Sequence, residues 1–171
     1  SVGLILRINS PGGSPVQSAL IYDEIRRLKK EHPEKKVIAV VEDVAASGGY
    51  FIASAADKIF VNKSSIVGSI GVVFNGFGFV ELLKKIGVER RLLVSGEKKS
   101  MLDPFLAKEE REELIIRKMM EDLHGHFIEA VKVGRGSLLV DDPEIFSGRV
   151  FTGEESISLG LSDGFGSVSS V

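Results

Sequence analysis

A serine set between small residues, Ala45-Ala46-Ser47-Gly48-Gly49, is the first feature of this sequence with chemistry in it. It follows an apolar run, Val37 to Val41, and precedes a stretch of small residues that ends at Ala56. A sharp strand-to-helix turn lifts a side chain above a sheet and aims the next backbone N–H groups at the same point, which suits a nucleophile facing an oxyanion site. The glycines after Ser47 permit that geometry. The same serine would also serve as an N-cap, and the local pattern leaves both roles open. A second feature, Asn9-Ser10-Pro11-Gly12-Gly13, closes the first apolar run. In parallel α/β sheets, sites gather where the carboxyl ends of strands meet loops, so this turn and Ser47 belong on one edge. The N–H groups of Gly13 and Gly48 would then hold a developing oxyanion. Phosphate cradling is the competing use of such a turn, but the dinucleotide and Walker spacings are missing.

A serine nucleophile needs a base, usually histidine. The chain has three, His32, His124 and His126. His32 falls at the polar end of a helix. His124 and His126 are two apart on another, about 200° from each other around its axis, so they neither pair nor share a metal well. All three read as surface residues. Lysine is the remaining base, and it works only when neutral. Bringing its pKa from about 10.4 towards neutrality costs roughly 4 kcal/mol of desolvation or like-charge repulsion. Composition does not choose among the 22 basic residues.

The elements that hold these residues follow from apolar periodicity. Gly3 to Ile8 reads as a buried strand. Ser14 and Pro15 open a helix whose apolar positions run from Val16 to Leu28 and whose end is basic. Val37 to Val41 is the next strand, so the first quarter is a βαβ unit, which favours a parallel sheet. A small-residue helix over Phe51 to Ala56 and a strand over Lys58 to Asn62 follow. Ser64 to Phe79 reads as short strand pieces and turns, Val80 to Ile86 as a helix, Val88 to Val94 as a strand. Lys108 to Val133 is a long helix with Leu114, Ile115, Met119, Leu123, Phe127 and Val131 on one face. The C-terminal part reads as a short helix near Asp142, a strand or turn at Arg149 to Thr152, and a helix from Glu154 to Leu159 capped by Gly160.

The 171 residues, 43% hydrophobic and 27% charged, suit one compact domain, 1–171, or a domain with a helical arm. A formal net charge of −2 argues against a nucleic-acid partner. The absence of cysteine excludes disulfides and thiolate catalysis. No run reaches the ~20 apolar residues of a membrane span, so the chain reads as soluble, and its abrupt start in a strand suggests a longer parent protein.

Four ordered motifs, INSPGG at Ile8 to Gly13, DVAASGGY at Asp43 to Tyr50, VGSIGVV at Val67 to Val73 and SGEKKS at Ser95 to Ser100, resemble the signal peptide peptidase A and SohB family of bacterial and archaeal serine peptidases. The resemblance covers nearly the whole chain. It implies the α/β fold of Clp protease and crotonase, a superhelix of βαβ units with a long C-terminal helical arm. It implies Ser47 as nucleophile, Lys99 as general base, Ser69 as the hydroxyl that bonds the lysine amine, and Gly13 and Gly48 as oxyanion donors, with no cofactor or metal. Lys98 stands where the family often has an aromatic residue, and reads as solvated.

The resemblance further implies peptide substrates (signal peptides or membrane-protein fragments), homo-oligomeric rings in which Ser47 and Lys99 of one site come from neighbouring subunits in some members, and attachment to the bacterial or archaeal inner membrane through a segment outside this chain. Two rivals remain: a crotonase-type acyl-CoA enzyme, using the same oxyanion hole without a nucleophile, and a catalytically inactive oligomeric scaffold. A histidine-dependent Clp-type protease is a weak third, since no histidine lies between His32 and His124.

Overall fold

The computed structural model describes residues 2–171. The chain divides into two compact units, Ser1–Gly71 with Leu123–Val171, and Val72–Asp122.

The first unit is built on a mostly parallel sheet. Strand β1 (Gly3–Ser10) leads through a tight turn into helix α1 (Pro15–Glu31), which returns the chain to strand β2 (Lys36–Ala46). Ser14 caps α1 by accepting from the Gln17 N–H, Pro15 takes the first turn, and Lys29 and Lys30 sit in the last, where cations favour the exposed carbonyls. Helix α2 (Gly48–Ala53), strand β3 (Lys58–Val61) and strand β4 (Ile66–Gly68) follow. The chain leaves the second unit along helix α4 (Glu110–Arg135), of which the part from Leu123 onward belongs to the first unit, and ends with β5 (Val150–Thr152), α5 (Gly153–Ser158) and β6 (Gly164–Phe165). The sheet runs β5-β4-β2-β3-β6, with β1 paired to β2. Every pairing is parallel except β4 with β5. This is the α/β architecture of parallel βαβ units that the sequence leads one to expect.

Strand β2 is longer than its apolar run. It continues through Glu42 and Asp43, both exposed, to Ala46. Opposite β1 the register runs evenly from Gly3↔Lys36 to Ile8↔Val41 and then jumps to Ser10↔Ala45. One residue of β1, Asn9, therefore faces three of β2, Glu42, Asp43 and Val44, which makes a two-residue bulge. Beyond it β2 pairs with β4 in the register Val44↔Ile66, Ala45↔Val67, Ala46↔Gly68.

The core of this unit includes Ile59, Val61, Val67, Ile70, Val131, Ile145 and Leu161, all fully buried. Phe51 links α2 to its neighbours, meeting Tyr22 edge-on at 5.3 Å and stacking on Phe127 at 4.9 Å. Arg135, also buried, donates to the Gly160 carbonyl and to Asp163, each at 2.8 Å, and Asp163 further accepts from the Ile59 N–H and Lys58. Tyr50, next in α2, donates its hydroxyl to the Leu161 carbonyl at 2.7 Å.

In the second unit, helix α3 (Val80–Ile86) ends on Gly87 in the left-handed region at φ 73°. Its contacts are local: Phe79 stacks on Phe105 at 5.4 Å, and Arg90 binds Asp103 at 2.7 Å. Val88 to Val94, read as a strand in the sequence, pairs with nothing, and Leu93 is fully exposed. A strand forms only against a partner, and this unit contains no other strand. On α4 the expected apolar stripe is buried at Phe127 and Val131, while Leu114 and Met119 remain more than half exposed.

Candidate active site

Ser47 stands where β2 gives way to α2. Its backbone is in a conformation that L-residues rarely adopt, φ 51° and ψ −122°. It occupies the N-cap position, yet its hydroxyl makes no capping hydrogen bond. Of the two roles open in the sequence, the cap is the one the geometry does not fill. Backbone bonds hold the elbow on both sides: the Ser47 N–H donates to the Gly68 carbonyl at 2.8 Å, and its carbonyl accepts from the Phe51 N–H at 2.9 Å. Strain of this kind, of order 1–3 kcal/mol, persists only where the surroundings over-determine it.

The Gly12-Gly13 turn packs directly on this elbow. A methyl group on Gly12, whose φ is 116°, would fall 2.7 Å from Ser47 Cβ, 3.1 Å from Ser47 Oγ and 3.1 Å from the Gly48 nitrogen. A methyl on Gly48 would fall 3.4 Å from the Gly13 nitrogen and 2.4 Å from Ser18 Oγ. Only glycine lets these backbones approach so closely. Gly13 and Gly48 are thus neighbours on one edge, as their places in the sequence imply. Ser18, absent from the sequence reading, is buried here, its hydroxyl donating to the Ser14 carbonyl at 3.0 Å. Its signal was the i,i+4 spacing from Ser14.

Ser69 lies one residue beyond β4, as Ser47 lies one beyond β2. The register Ala46↔Gly68 sets the two serines at matching positions of paired strands. Ser69 also has a positive φ, 53°, and its N–H donates to the Arg149 carbonyl at 2.8 Å. His124 is half-buried rather than free on the surface, with Nε2 2.9 Å from the Ile70 carbonyl, beside Ser69. That contact joins residues 54 apart, and no local pattern announces it.

Lys99 belongs to the second unit, in a turn closed by its own N–H donating to the Gly96 carbonyl at 3.0 Å, and its side chain is exposed. Lys98, beside it, reaches Glu97 at 3.7 Å on the surface. The first unit therefore brings together Ser47, Ser69, Gly13 and Gly48, and Lys99 is carried by the other.

The sequence profile of Peptidase family S49 matches residues 29–171. The chain is 53% identical over 165 residues to a Brucella abortus protein named Na(+)/H(+) antiporter NhaA, covering 96% of this chain and 22% of that polypeptide. It is 37% identical to the putative protease slr0021 of Synechocystis, covering 95% of this chain and 58% of that protein. It is 34% identical to the putative signal peptide peptidase SppA of Enterococcus faecium, covering 96% of this chain and 47% of that protein. The chain thus spans between about a fifth and three-fifths of these relatives. With its profile matched over most of its length, the chain belongs to Peptidase family S49.

Proposed function

We propose that this chain carries the nucleophilic half, and in a neighbouring unit the base, of a serine endopeptidase site built on a Ser–Lys dyad. The observation that carries the reading is Ser47: a strained residue at the end of β2, its hydroxyl unused as a cap, with the Gly12-Gly13 turn against it. In this mechanism Lys99 removes the Ser47 proton as Oγ attacks the scissile carbonyl, then returns it to the departing amine. The Gly13 and Gly48 N–H groups receive the oxyanion. Ser69 accepts a hydrogen bond from the Lys99 amine and aims it.

A lysine acts as a base only when neutral, so the role proposed for Lys99 requires it to be desolvated when the site is complete. Covering by a second subunit meets that need, and it agrees with the apolar surface of the same unit, where Phe77 and Leu93 are 80% and 100% exposed. Substrates on this reading are signal peptides or membrane-protein fragments, cleaved by a homo-oligomer held at the bacterial or archaeal inner membrane by a segment outside this chain. No helix among the described residues is long and apolar enough to cross a membrane.

A fluorophosphonate probe tests the assignment. Mass spectrometry should find one adduct, on Ser47, absent from Ser47→Ala, and peptide-ester hydrolysis should fall by about 10³-fold or more in that variant. A lysine base gives a rate that climbs on the alkaline side. An intact protein that takes up no probe, or Ser47→Ala that still does, overturns the reading.

A further inference from the structure

The bulge in β2 leaves backbone groups without sheet partners, and side chains take them over. Ser65, buried, donates its hydroxyl to the Glu42 carbonyl. On the other side, Asn9 Oδ1 accepts from the Val44 N–H at 3.2 Å, while Asn9 Nδ2 donates to Asp43 Oδ2 at 2.9 Å. Asn9 is the single β1 residue that faces the bulge, and one amide fills both roles because it accepts and donates at once. Three residues later the chain reaches Gly12, packed on Ser47. Behind the elbow, Gly49 lies close enough to the Ser10 carbonyl that a methyl group would meet it at 2.7 Å.

We infer that Asn9 is a positioning residue: by clamping the Asp43-Val44 bulge it fixes the height of the Gly12-Gly13 turn beside Ser47, and so the aim of the Gly13 N–H. The inference rests on the oxyanion role proposed above for Gly13. Its geometry, however, stands on the hydrogen bonds and register alone. Asn9 touches no reacting atom. Its effect reaches the chemistry through the turn, where a small displacement of a donor weakens transition-state stabilisation more than ground-state binding.

The arrangement has a distinctive symmetry. In N9D two carboxylates face each other and the donor to Asp43 is gone. In the double variant N9D/D43N the roles are exchanged: the carboxylate at position 9 accepts both from the Val44 N–H and from the new side-chain amide, and the net charge is that of the wild type. An effect confined to either position alone would not be reversed by this exchange.

The full chain, with N9D, D43A and N9D/D43N, is followed by amide hydrogen exchange at Gly12, Gly13 and Val44 and by the fluorophosphonate acylation rate, with far-ultraviolet circular dichroism as the check on folding. The clamp predicts about tenfold faster exchange at Val44 and the turn in N9D, about tenfold slower acylation expressed in kcat rather than KM for a peptide ester, and recovery of both in the double variant to within about threefold. D43A, which removes the anchor of Asn9 without setting two carboxylates face to face, should fall between. Unchanged exchange in folded N9D, or a folded double variant that recovers nothing, overturns the inference. If the wild type is not acylated at Ser47, the functional reading fails, and the exchange pattern by itself decides whether Asn9 holds the turn.

Discussion

At the scale of single residues, the candidate site depends on atoms that are missing. The turn at Gly12 and the elbow at Gly48 approach because neither has a side chain, and each approach is measurable in the clash a methyl group would make. Gly12→Ala places a Cβ against Ser47 Cβ and forces an L-residue to φ 116°. It should destabilise the fold by roughly 1–3 kcal/mol and slow acylation of Ser47 by about a hundredfold. Thermal unfolding and probe-labelling rates check the two effects separately. A variant that melts lower yet labels at the wild-type rate would show that the turn can retreat without consequence. That Ser47, Gly13 and Gly48 share one edge was legible because parallel strands of a βαβ sheet end on the same side. The contacts of Asn9 and His124 were not, because their partners lie across the fold.

Among the elements, periodicity and the Ser14-Pro15 cap identified the first helix and the parallel core, but not how far each strand runs. The length of β2 was underestimated because Glu42 and Asp43 are polar, and polar residues in a bulge read as a loop. Val88 to Val94 was overread for the opposite reason, since apolar residues suit a strand whether or not a partner exists. The join between α4, β3 and the C-terminal segment likewise escapes any local pattern. Burial works to raise the Asp163 carboxyl, but hydrogen bonds from Arg135, the Ile59 N–H and Lys58 outweigh it, so its pKa lies below the ordinary carboxylate value. For a group lowered in the folded state, the stabilisation is present above the unfolded pKa of about 3.9 and is lost as pH falls through the folded value. Asp163→Asn should therefore cost about 3 kcal/mol at neutral pH, because it leaves Arg135 buried with a weakened partner, and should flatten the decline in stability below about pH 4. Denaturant titrations at a series of pH values test this. An acid limb as steep in Asp163→Asn as in the wild type would assign the acid sensitivity elsewhere, with Asp57, also lowered and bound to Lys29, the next group to examine.

For the whole molecule, the two groups of the proposed dyad belong to different compact units, and assembly becomes part of the chemistry only if one site draws on two chains. If the base serves the nucleophile of a neighbouring subunit, mixing Ser47→Ala with Lys99→Ala chains should restore activity to a fraction of wild type, each pure variant being inactive. The peptide-ester assay on mixed and refolded samples reads this directly, and mixtures that stay silent while forming oligomers would place both groups in one chain. The family and its motifs were visible in the sequence because they are local strings of residues. The partition into units was not, since it depends on which apolar surfaces find each other in space.

The bulge in β2 also sets which changes in chain length this fold can accept. Because three residues face one, the strand carries an even surplus, and the alternation of inward and outward side chains stays in phase on either side of it. Deleting one residue from Glu42-Asp43 would put Val44 to Ala46 out of phase and send the hydroxyl of Ser47 to the opposite face of the sheet. Deleting both would restore the phase but shorten the strand by about 6.6 Å and withdraw the serine from the glycine turn. A substitution in this stretch therefore costs a contact, whereas a frame-preserving loss of one codon, or of two, displaces Ser47 itself.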